Sequence, residues 1–433
     1  MEEADTVVVA DISYSRIALL AARKEEGGRL NVLGVETDGT PKGYVRSGAI
    51  ERPGDVAFKV RELVKKMGNR LGDKCRIVRV YVNMNGKSIC SDNFSAYRNY
   101  GRQTQITHPE IVSIENEIRA QNSTGYDVLY VEPGRYVLDG ERVANPMAKS
   151  CFNLEANYLA VMADGRLKAN IDKMFDRIQE PKMADYNIGI LSTAQAVLSD
   201  EDKAGGVLLL DFGAETTSMA VYCDGALSRL AVIPFGGAHV TADLCSLGLS
   251  EQEAEALKIN HGCVVVPSDK QDTLLKLKGK TGQGERSFKI QDVQMVIKAR
   301  IDEILSVVES ELELSGCREN VHGAVITGGA SRLQGLQEYL GERMGLTVRD
   351  AAWTGAVSTV AGSTDVMQQG FAPLIGLALW AKGNCVETEK DDEPEEEAPA
   401  AEKKPEQHKA KKKGGFLSGL AGLFENESNI FDE

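Results

Sequence analysis

Hydrophobic residues recur along the chain in short runs that alternate with polar turns and with helical spacing. Buried strands are predicted over four apolar runs, 7–10, 17–21, 207–210 and 219–222. Amphipathic helices are predicted over 108–120, 251–258 and 336–344. Such a mixture in 433 residues, 42% of them hydrophobic, predicts an α/β protein with a large core and more than one domain.

The turn between the runs 207–210 and 219–222 carries side chains suited to a phosphate group. Gly213 lets the backbone approach an anion closely, and Thr216 and Thr217 offer hydroxyl and amide groups. Asp211 places a carboxylate at the strand end, where a hydrated Mg²⁺ would bind. The alternative is a plain β-hairpin whose polar residues hydrogen-bond within their own turn.

A second glycine-bearing turn lies about a hundred residues further on, in the segment 323–333. An apolar strand there ends at Gly328 and Gly329, followed by Ser331 and the helix over 336–344. Two residues without side chains would let a flat adenine lie against the main chain at a helix entrance. A plain strand-to-helix turn is the alternative.

The pattern Asp-x-Gly-x-x-Thr-Thr at 211–217, followed by Pro-Phe-Gly-Gly-Ala-His-Val-Thr at 234–241, resembles the second phosphate loop of the actin, Hsp70 and sugar-kinase superfamily. Within it the chain resembles the FtsA family of bacterial cell-division proteins, over about residues 7–379. The resemblance implies an actin-like fold of two lobes, built from duplicated ribonuclease-H-like domains, with ATP and Mg²⁺ in the cleft. It also implies that Gly236 and Gly237 contact the nucleotide.

The first phosphate loop departs from the family pattern Asp-Ile-Gly-Thr-x-Lys. This chain has Asp11 and Ile12, followed by Ser13, Tyr14, Ser15 and Arg16. The resemblance implies that Ser13 to Arg16 face the nucleotide and that Asp11 acts with Asp211 on the metal, through water. Because Ser13 replaces the glycine and Tyr14 introduces a ring, we expect nucleotide binding with weak or absent hydrolysis.

Two further elements carry roles that the resemblance implies. Gln195, on a short helical pattern over 191–198, would orient the attacking water, so that Gln195, Asp11 and Asp211 form the catalytic set. Glu255 and Lys258 lie three residues apart on one helical face, where the family places contacts to the ribose. An exposed glutamine and a salt-paired surface face are the alternatives.

Between the two phosphate loops, over 83–163, lies a stretch that actin would not have in this place. It combines predicted strands at 128–131, 136–138 and 158–162 with the helix over 108–120, which predicts a small α+β insertion. Its position resembles the 1C-type subdomain of FtsA. The pilus assembly protein PilM shares such a subdomain and is the nearest alternative.

The resemblance divides the chain into a first lobe, a second lobe and a tail. The first lobe comprises 1–83, the inserted subdomain 84–165, its continuation 166–206 and a C-terminal return over 351–385. The second lobe comprises 207–236, a smaller subdomain over 237–305 and the continuation 306–350. The tail comprises a disordered acidic linker over 386–410, an amphipathic membrane-targeting helix over 411–425 and the last residues, 426–433.

The tail pattern indicates a membrane anchor. An acidic, Pro- and Ala-rich stretch cannot form a core and should stay extended. The residues expected to contact anionic lipid are a basic cluster and one apolar helical face, namely Lys411, Lys412, Lys413, Phe416, Leu417, Leu420, Leu423 and Phe424. Three interspersed glycines weaken the helix, so stable attachment would need many copies in a polymer. A tail that docks on a protein groove or stays disordered is the alternative.

Composition narrows the remaining possibilities. The net charge of −14 and the lack of a basic stripe with interleaved aromatics disfavour nucleic acid as a partner. Eight cysteines without paired spacing predict reduced thiols. The acidic N-terminus does not match a signal peptide, and no apolar run reaches the ~20 residues that span a bilayer, so we expect a cytoplasmic protein. The resemblance implies that it is peripheral on the inner face of the cell membrane at the division site.

These observations together predict an actin-like protein of the FtsA type. The resemblance implies that it polymerises beneath the inner membrane, tethers the FtsZ ring by binding the FtsZ C-terminal peptide, and contacts other division proteins. Three alternatives stay open: a PilM-like scaffold of a pilus or secretion assembly, an interaction scaffold without nucleotide, and a small-molecule kinase of the same superfamily.

Overall fold

The structure, a computed structural model, describes residues 5–72, 75–120, 125–143, 145–266, 273–277, 286–355, 357–359 and 369–388. The chain up to Glu389 forms one compact unit. The predicted membrane helix over 411–425, the last residues 426–433 and all but the first three residues of the predicted linker lie outside the described residues.

The described residues form strands and helices that alternate along the chain. The strands are β1 Thr6–Ile12, β2 Arg16–Lys24, β3 Leu30–Gly39, β4 Val45–Arg46, β5 Ala49–Ile50, β6 Cys75–Ile77, β7 Arg79–Met84, β8 Cys90–Gln105, β9 Tyr126–Leu138, β10 Glu141–Val143, β11 Ser150–Asp164, β12 Lys182–Ile188, β13 Val207–Phe212, β14 Thr217–Cys223, β15 Ala226–Ile233, β16 Leu274–Leu277, β17 Arg286–Lys289, β18 Gly323–Thr327, β19 Thr347–Asp350, β20 Val357–Thr359 and β21 Val386–Thr388. The helices are α1 Pro53–Leu71, α2 His108–Ala120, α3 Gly165–Ile178, α4 Gly189–Val197, α5 Asp200–Gly205, α6 Gly237–Leu244, α7 Glu251–His261, α8 Ile290–Leu314, α9 Leu336–Met344 and α10 Ala372–Trp380.

A six-stranded sheet has the order β12-β7-β1-β2-β3-β20. Its centre is the antiparallel hairpin β1–β2, and β7 pairs with β1 in parallel. Helix α1 packs on β2 and β3, and helix α10 packs on β1, β2 and β7. Because helices cover both faces of the sheet, the strands of the central hairpin are continuous apolar runs. The first phosphate loop is therefore the turn of a fully buried hairpin.

A nine-stranded sheet has the order β10-β9-β11-β8-β15-β14-β13-β18-β19. One part, β8 to β11, comes from the predicted insertion, and the other repeats the hairpin-plus-parallel pattern, with β13–β14 antiparallel and β18 parallel to β13. A single pairing of Ala231 with Cys90 joins the two parts. The turn between β13 and β14 thus occupies in this sheet the place that the β1–β2 turn occupies in the other.

Helices α4 and α10 connect the two sheets. Helix α4 contacts β7 and β12 of the six-stranded sheet and β13 and β14 of the nine-stranded one, and α10 packs on α4. The two helices approach closely because Gly376 of α10 has no side chain at the crossing point: a Cβ there would overlap the carbonyl oxygen of Ser192. This crossing fixes the distance between the two hairpin turns.

Several predicted boundaries differ from the structure. The predicted strands at 128–131 and 136–138 are parts of one strand, β9, and β8 has no counterpart among the predicted strands. Two short strands, β16 and β17, pair with each other in a part of the chain for which no strand was predicted. Residues Val386–Thr388 form β21, paired with β6, so the predicted linker over 386–410 does not begin at residue 386.

The eight cysteines are all free, as expected for reduced thiols. No helix among the described residues combines the length and the apolar character that crossing a bilayer requires.

Candidate functional site

A cavity of about 540 Å³ lies where the two hairpin turns, α7 and the turn after β18 meet. Most of the residues predicted to bind nucleotide or metal line it, although they are spread over more than three hundred positions. They are Asp11, Ser13, Tyr14, Ser15, Arg16, Asp211, Gly213, Thr216, Gly237, Glu255, Lys258, Gly328 and Gly329.

The first loop, between β1 and β2, is held by its own serine. The Ser13 backbone N–H and Oγ both donate to the carbonyl oxygen of Arg16, at 2.9 Å each. Thr40 Oγ1 donates to the Ser13 carbonyl at 2.8 Å and ties the loop to the end of β3. The serine that replaces the family glycine therefore serves to close the turn.

Arg16 extends from this loop toward the C-terminal part of the chain. Its guanidinium donates to the carbonyl oxygen of Gly370 and lies 4.0 Å from the ring centroid of Phe371. Burial lowers the pKa of Arg16, and the carboxylates of Asp11 and Asp211 oppose that effect. One planar cation thus faces both predicted metal carboxylates.

Asp11, 6% exposed, is held by two amide side chains. Its Oδ1 accepts from Asn83 Nδ2 at 3.3 Å and from Asn85 Nδ2 at 3.1 Å. Ser192 Oγ of α4 in turn donates to Asn83 Oδ1 at 2.8 Å. Burial raises the pKa of Asp11, while Arg16 and the two amides limit that rise.

Asp211 stands at the end of β13 and faces the same cavity. Burial, reinforced by the neighbouring Asp11, raises the pKa of Asp211 to about 6, and Arg16 acts in the opposite direction. Two carboxyl groups in one poorly solvated site disfavour each other's ionisation. A divalent cation would favour the ionised form of both, so their chemistry fits Mg²⁺.

No group of three or more His, Cys, Asp or Glu side chains among the described residues is arranged to hold a metal ion by itself. A magnesium ion at Asp11 and Asp211 would therefore depend on water and phosphate oxygens for its remaining ligands. Such partial coordination is usual for Mg²⁺, which keeps several waters in nucleotide sites.

The second loop, between β13 and β14, rests on the start of α6. Gly237 N–H donates to the Gly213 carbonyl at 3.0 Å, and a Cβ on Gly213 would come within 2.8 Å of the Thr216 carbonyl. A Cβ on Gly236 would meet the carbonyls of Gly213 and Ala214. Glycines are therefore needed here so that the loop and the helix can approach each other.

Lys258 and Glu255 of α7 lie in the wall of the cavity and are paired with each other. Lys258 Nζ donates to Glu255 Oε2 at 2.7 Å, to Thr241 Oγ1 at 2.8 Å and to the Gly237 carbonyl at 2.9 Å. The Lys258 side chain is 11% exposed, whereas that of Glu255 is 44% exposed. The lysine consequently supports α6, and the carboxylate remains accessible to a ligand.

At the first position of the double glycine after β18, neighbouring atoms leave no room for a side chain. Gly328 has a φ of +91°, and a Cβ there would clash with Asp211 Oδ1 and with the carbonyl of Phe212. A Cβ on Gly329 would have nothing within 4 Å. Gly328 thus lets the turn after β18 close on the second loop, and Gly329 leaves open space in the cavity wall.

Four predicted site residues do not line the cavity. Gln195 is exposed on α4. Thr217 is buried and donates through Oγ1 to the Phe235 carbonyl at 2.8 Å, and Ser331 Oγ donates to the Gly328 carbonyl at 2.8 Å. Gly236 donates its N–H to His239 Nδ1 at 3.2 Å. The last three hold the loops in shape.

Sequence reasoning missed other residues that the structure brings to this site. Asn83 near the end of β7 and Asn85 just after it reach Asp11. Glu215 lies in the second loop, and Arg332 follows the double glycine. Glu215 and Arg332 lie inside the quoted motifs and could have been found by their charge. The two asparagines have no such signal, because their role depends on the parallel pairing of β7 with β1.

Comparison with known proteins agrees with this geometry. The family described as Cell division protein FtsA matches residues 208–369. The FtsA of Porphyromonas gingivalis is 28% identical over 340 residues, 77% of this chain and 71% of that protein. The FtsA of Escherichia coli K12 is 27% identical over 389 residues, 87% of this chain and 90% of that protein.

Among solved structures, a PilM–PilN type IV pilus biogenesis complex superposes with a TM-score of 0.61 at 16% identity, over 86% of this chain and 98% of the other. MreB5 of Spiroplasma citri bound to ADP superposes with a TM-score of 0.50 at 12% identity, over 87% and 96%. Both similarities concern the fold alone.

The two hairpin sheets and the cleft between their turns define an actin-like fold, which confirms the fold class predicted from the sequence. Within that class the sequence comparisons agree with the second part of the prediction: the chain is similar to the FtsA cell-division proteins named above.

Proposed function

We propose that this chain binds ATP with Mg²⁺ in the cavity between the two hairpin turns. The observation that carries the proposal is the convergence of the β1–β2 turn, the β13–β14 turn and Gly329 on one space of about 540 Å³. The ADP bound to MreB5, a protein of the same fold, supports an adenine nucleotide as the ligand. Asp11 and Asp211 would hold Mg²⁺ through water, and the ion would neutralise phosphate charge.

Hydrolysis in this site is proposed to be weak or absent. Tyr14 lines the cavity where the family pattern has a small hydroxyl. Gln195, the residue proposed to orient the attacking water, is exposed and lies outside the cavity lining. The nucleotide would then act mainly as a structural ligand between the sheets.

Equilibrium binding of ATP with and without Mg²⁺ tests this proposal. We expect saturable ATP binding that Mg²⁺ strengthens, and we expect Asp211→Asn to remove most of the Mg²⁺ effect. Glu303→Gln, a substitution outside the cavity lining, is the matched control and should leave binding unchanged. Absence of saturable binding by the wild-type chain would contradict the proposal and favour a scaffold without nucleotide.

We further propose that the chain polymerises on the cytoplasmic face of the inner membrane and tethers the FtsZ ring. The relatives named above support a role in cell division. The PilM likeness, at 16% identity, supports the shared fold and gives a pilus role less support. Co-sedimentation with a peptide of the FtsZ C-terminus, against a scrambled peptide, separates the two roles, because a pilus scaffold would bind neither.

The lipid anchor is proposed from the sequence of the tail alone, at Lys411 to Lys413 and the apolar face from Phe416 to Phe424. Vesicle sedimentation of the intact chain and of a chain ending at Gly414 tests it. We expect the intact chain to pellet with anionic vesicles and the shortened chain to remain in the supernatant. Equal pelleting of the two chains would exclude the anchor.

A further inference from the structure

Glu215 occupies an unusual place for a carboxylate, inside the second phosphate loop. Its Oε2 accepts the backbone N–H of Ser47, which belongs to the turn between β4 and β5. Ser47 itself has a φ of +46°, and Gly48 beside it lines the main cavity. The contact therefore joins the β13–β14 loop to a turn contributed by the N-terminal part of the chain, across the mouth of the cleft.

Glu215 also marks one end of the cleft. Together with Tyr14 it lines a neighbouring cavity of about 460 Å³, whose wall includes Lys42 and Arg46. The residues Ile259, Gly329 and Leu333 line the main cavity but not the neighbouring one. Because Gly329 and its surroundings form the end proposed for the adenosine, Glu215 lies at the end proposed for the phosphates.

A carboxylate at that end opposes each added phosphate charge. A nucleoside triphosphate carries about one more negative charge than the diphosphate, and repulsion between like charges at close range is considerable in a partly desolvated cleft. In the structure the Ser47 N–H donates to this carboxylate, and the Glu215 side chain lines the main cavity. Tyr14 on the opposite loop narrows the same end.

We propose that Glu215 discriminates against the terminal phosphate, so that this cleft favours ADP over ATP more than a cleft with a neutral residue at position 215 would. This inference rests on the proposed nucleotide function and adds a specificity-determining residue to it. Its mechanism is charge repulsion, so it requires the negative charge of the side chain and does not require the hydrogen bond to Ser47.

The experiment measures the equilibrium Kd of ATP and of ADP, each with excess Mg²⁺, for the wild-type chain and three variants. Glu215→Gln removes the charge and keeps an acceptor for Ser47, whereas Glu215→Asp keeps the charge and shortens the reach. Glu303→Gln removes an equal charge at a position outside the cavity lining. Circular dichroism confirms that each variant is folded.

We expect the ratio Kd(ATP)/Kd(ADP) to fall about three- to tenfold in Glu215→Gln, the effect of removing one nearby like charge. The ratio should stay within about twofold of wild type in Glu215→Asp and Glu303→Gln. An unchanged ratio in Glu215→Gln, with both nucleotides still bound, would overturn the inference and leave the proposed function intact. A raised ratio would identify Glu215 as a metal ligand and also overturn it. Failure of the wild-type chain to bind either nucleotide would refute the proposed function, and the inference with it.

Discussion

At the scale of single residues, the cleft concentrates groups whose ionisation depends on one another. Asp11 and Asp211 both have raised pKa values because they are buried, and each faces the guanidinium of Arg16. A carboxyl group whose pKa is higher in the folded than in the unfolded state holds its proton more tightly when folded. The free energy of unfolding must therefore decline as the pH rises from the pKa of such a carboxyl group in the unfolded state to its pKa in the folded state.

The first prediction concerns Asp211→Asn, which removes this titration. The pKa of Asp211 is raised from 3.8 to about 6, so the penalty for ionisation develops between about pH 4 and pH 6 and is constant above. We expect the variant to be more stable than wild type at pH 7.5, by on the order of 2 kcal/mol, and the difference to shrink toward pH 4. Urea unfolding at several pH values, without nucleotide and with chelator, measures it.

Asp139 provides a control, because its pKa is shifted in the direction opposite to that of Asp211. Backbone N–H groups of Phe152 and Asn153 donate to its carboxylate and lower its pKa, so its contribution to stability is present above the unfolded pKa and is lost as the pH falls through the folded one. Asp139→Asn should therefore be less stable than wild type at pH 7.5. If both variants changed stability in the same direction, the burial of Asp211 would not be the cause.

At the scale of elements, the spacing of the two sheets depends on the crossing of α4 and α10. The crossing is possible because Gly376 lets the α10 backbone approach the Ser192 carbonyl. Ser192 also donates to Asn83, which holds Asp11, so the helix crossing and the first carboxylate are connected through one residue. A change at Gly376 should consequently affect both stability and the cleft.

The second prediction is that Gly376→Val destabilises the protein by roughly 2–4 kcal/mol, because the added side chain would overlap backbone that cannot move independently. We also expect weaker nucleotide binding, since α4 must shift with Ser192. Gly205→Ala is the matched control: a Cβ on Gly205 has nothing within 4 Å, so its stability should change by less than about 1 kcal/mol. Thermal unfolding of both variants tests the prediction, and equal effects would contradict it.

The sequence predicted those elements whose pattern is local. The bounds of α2 and α9 agree with the predicted helices because their apolar residues recur with helical spacing. Strand β8 was missed because its sequence is mostly polar. Its pairing with β11 buries small residues such as Ala96, whereas Ser95 and Asn99 form exposed side-chain hydrogen bonds with asparagines of β11. Such a strand forms because of its pairing with the neighbouring strand, and its own sequence shows no clear alternation of apolar and polar residues.

The same distinction applies to the site. Glycine-bearing turns after apolar strands could be identified from the sequence, because close backbone approach leaves few other choices of residue. The support of Asp11 by Asn83 and Asn85 could not, because it depends on which strand lies beside β1. The exposure of Gln195 likewise depends on how α4 is rotated against α10.

At the scale of the whole molecule, the described residues form three groups of buried hydrophobic side chains. The first covers the six-stranded sheet and the second surrounds α8. The third lies inside the insertion, between α2 and the strands β8, β9 and β11. Strand β11 contributes to both the first and the third group, through Leu159 and Leu154 respectively, so in the described part of the chain the half of β11 around Leu159 couples the insertion to the main body.

The third prediction follows from that coupling. Ile114 of α2 is fully buried in the third group, and Ile114→Ala should destabilise its surroundings by about 2–5 kcal/mol through the cavity it leaves. Since local opening needs only the insertion to loosen, amide exchange should accelerate in α2 and in the half of β11 near Leu154. The residues around the cleft should keep wild-type exchange rates and nucleotide affinity.

Val112→Ala, on the exposed side of the same helix, is the control for this experiment, and hydrogen exchange followed by mass spectrometry is the measurement. Exchange that accelerated uniformly over the chain in Ile114→Ala would mean that the insertion and the main body unfold as one cooperative unit. Acceleration restricted to the insertion would mean that this part of the molecule can change its packing while the cleft stays assembled. A contact made by the insertion could then be broken or formed without loss of the nucleotide.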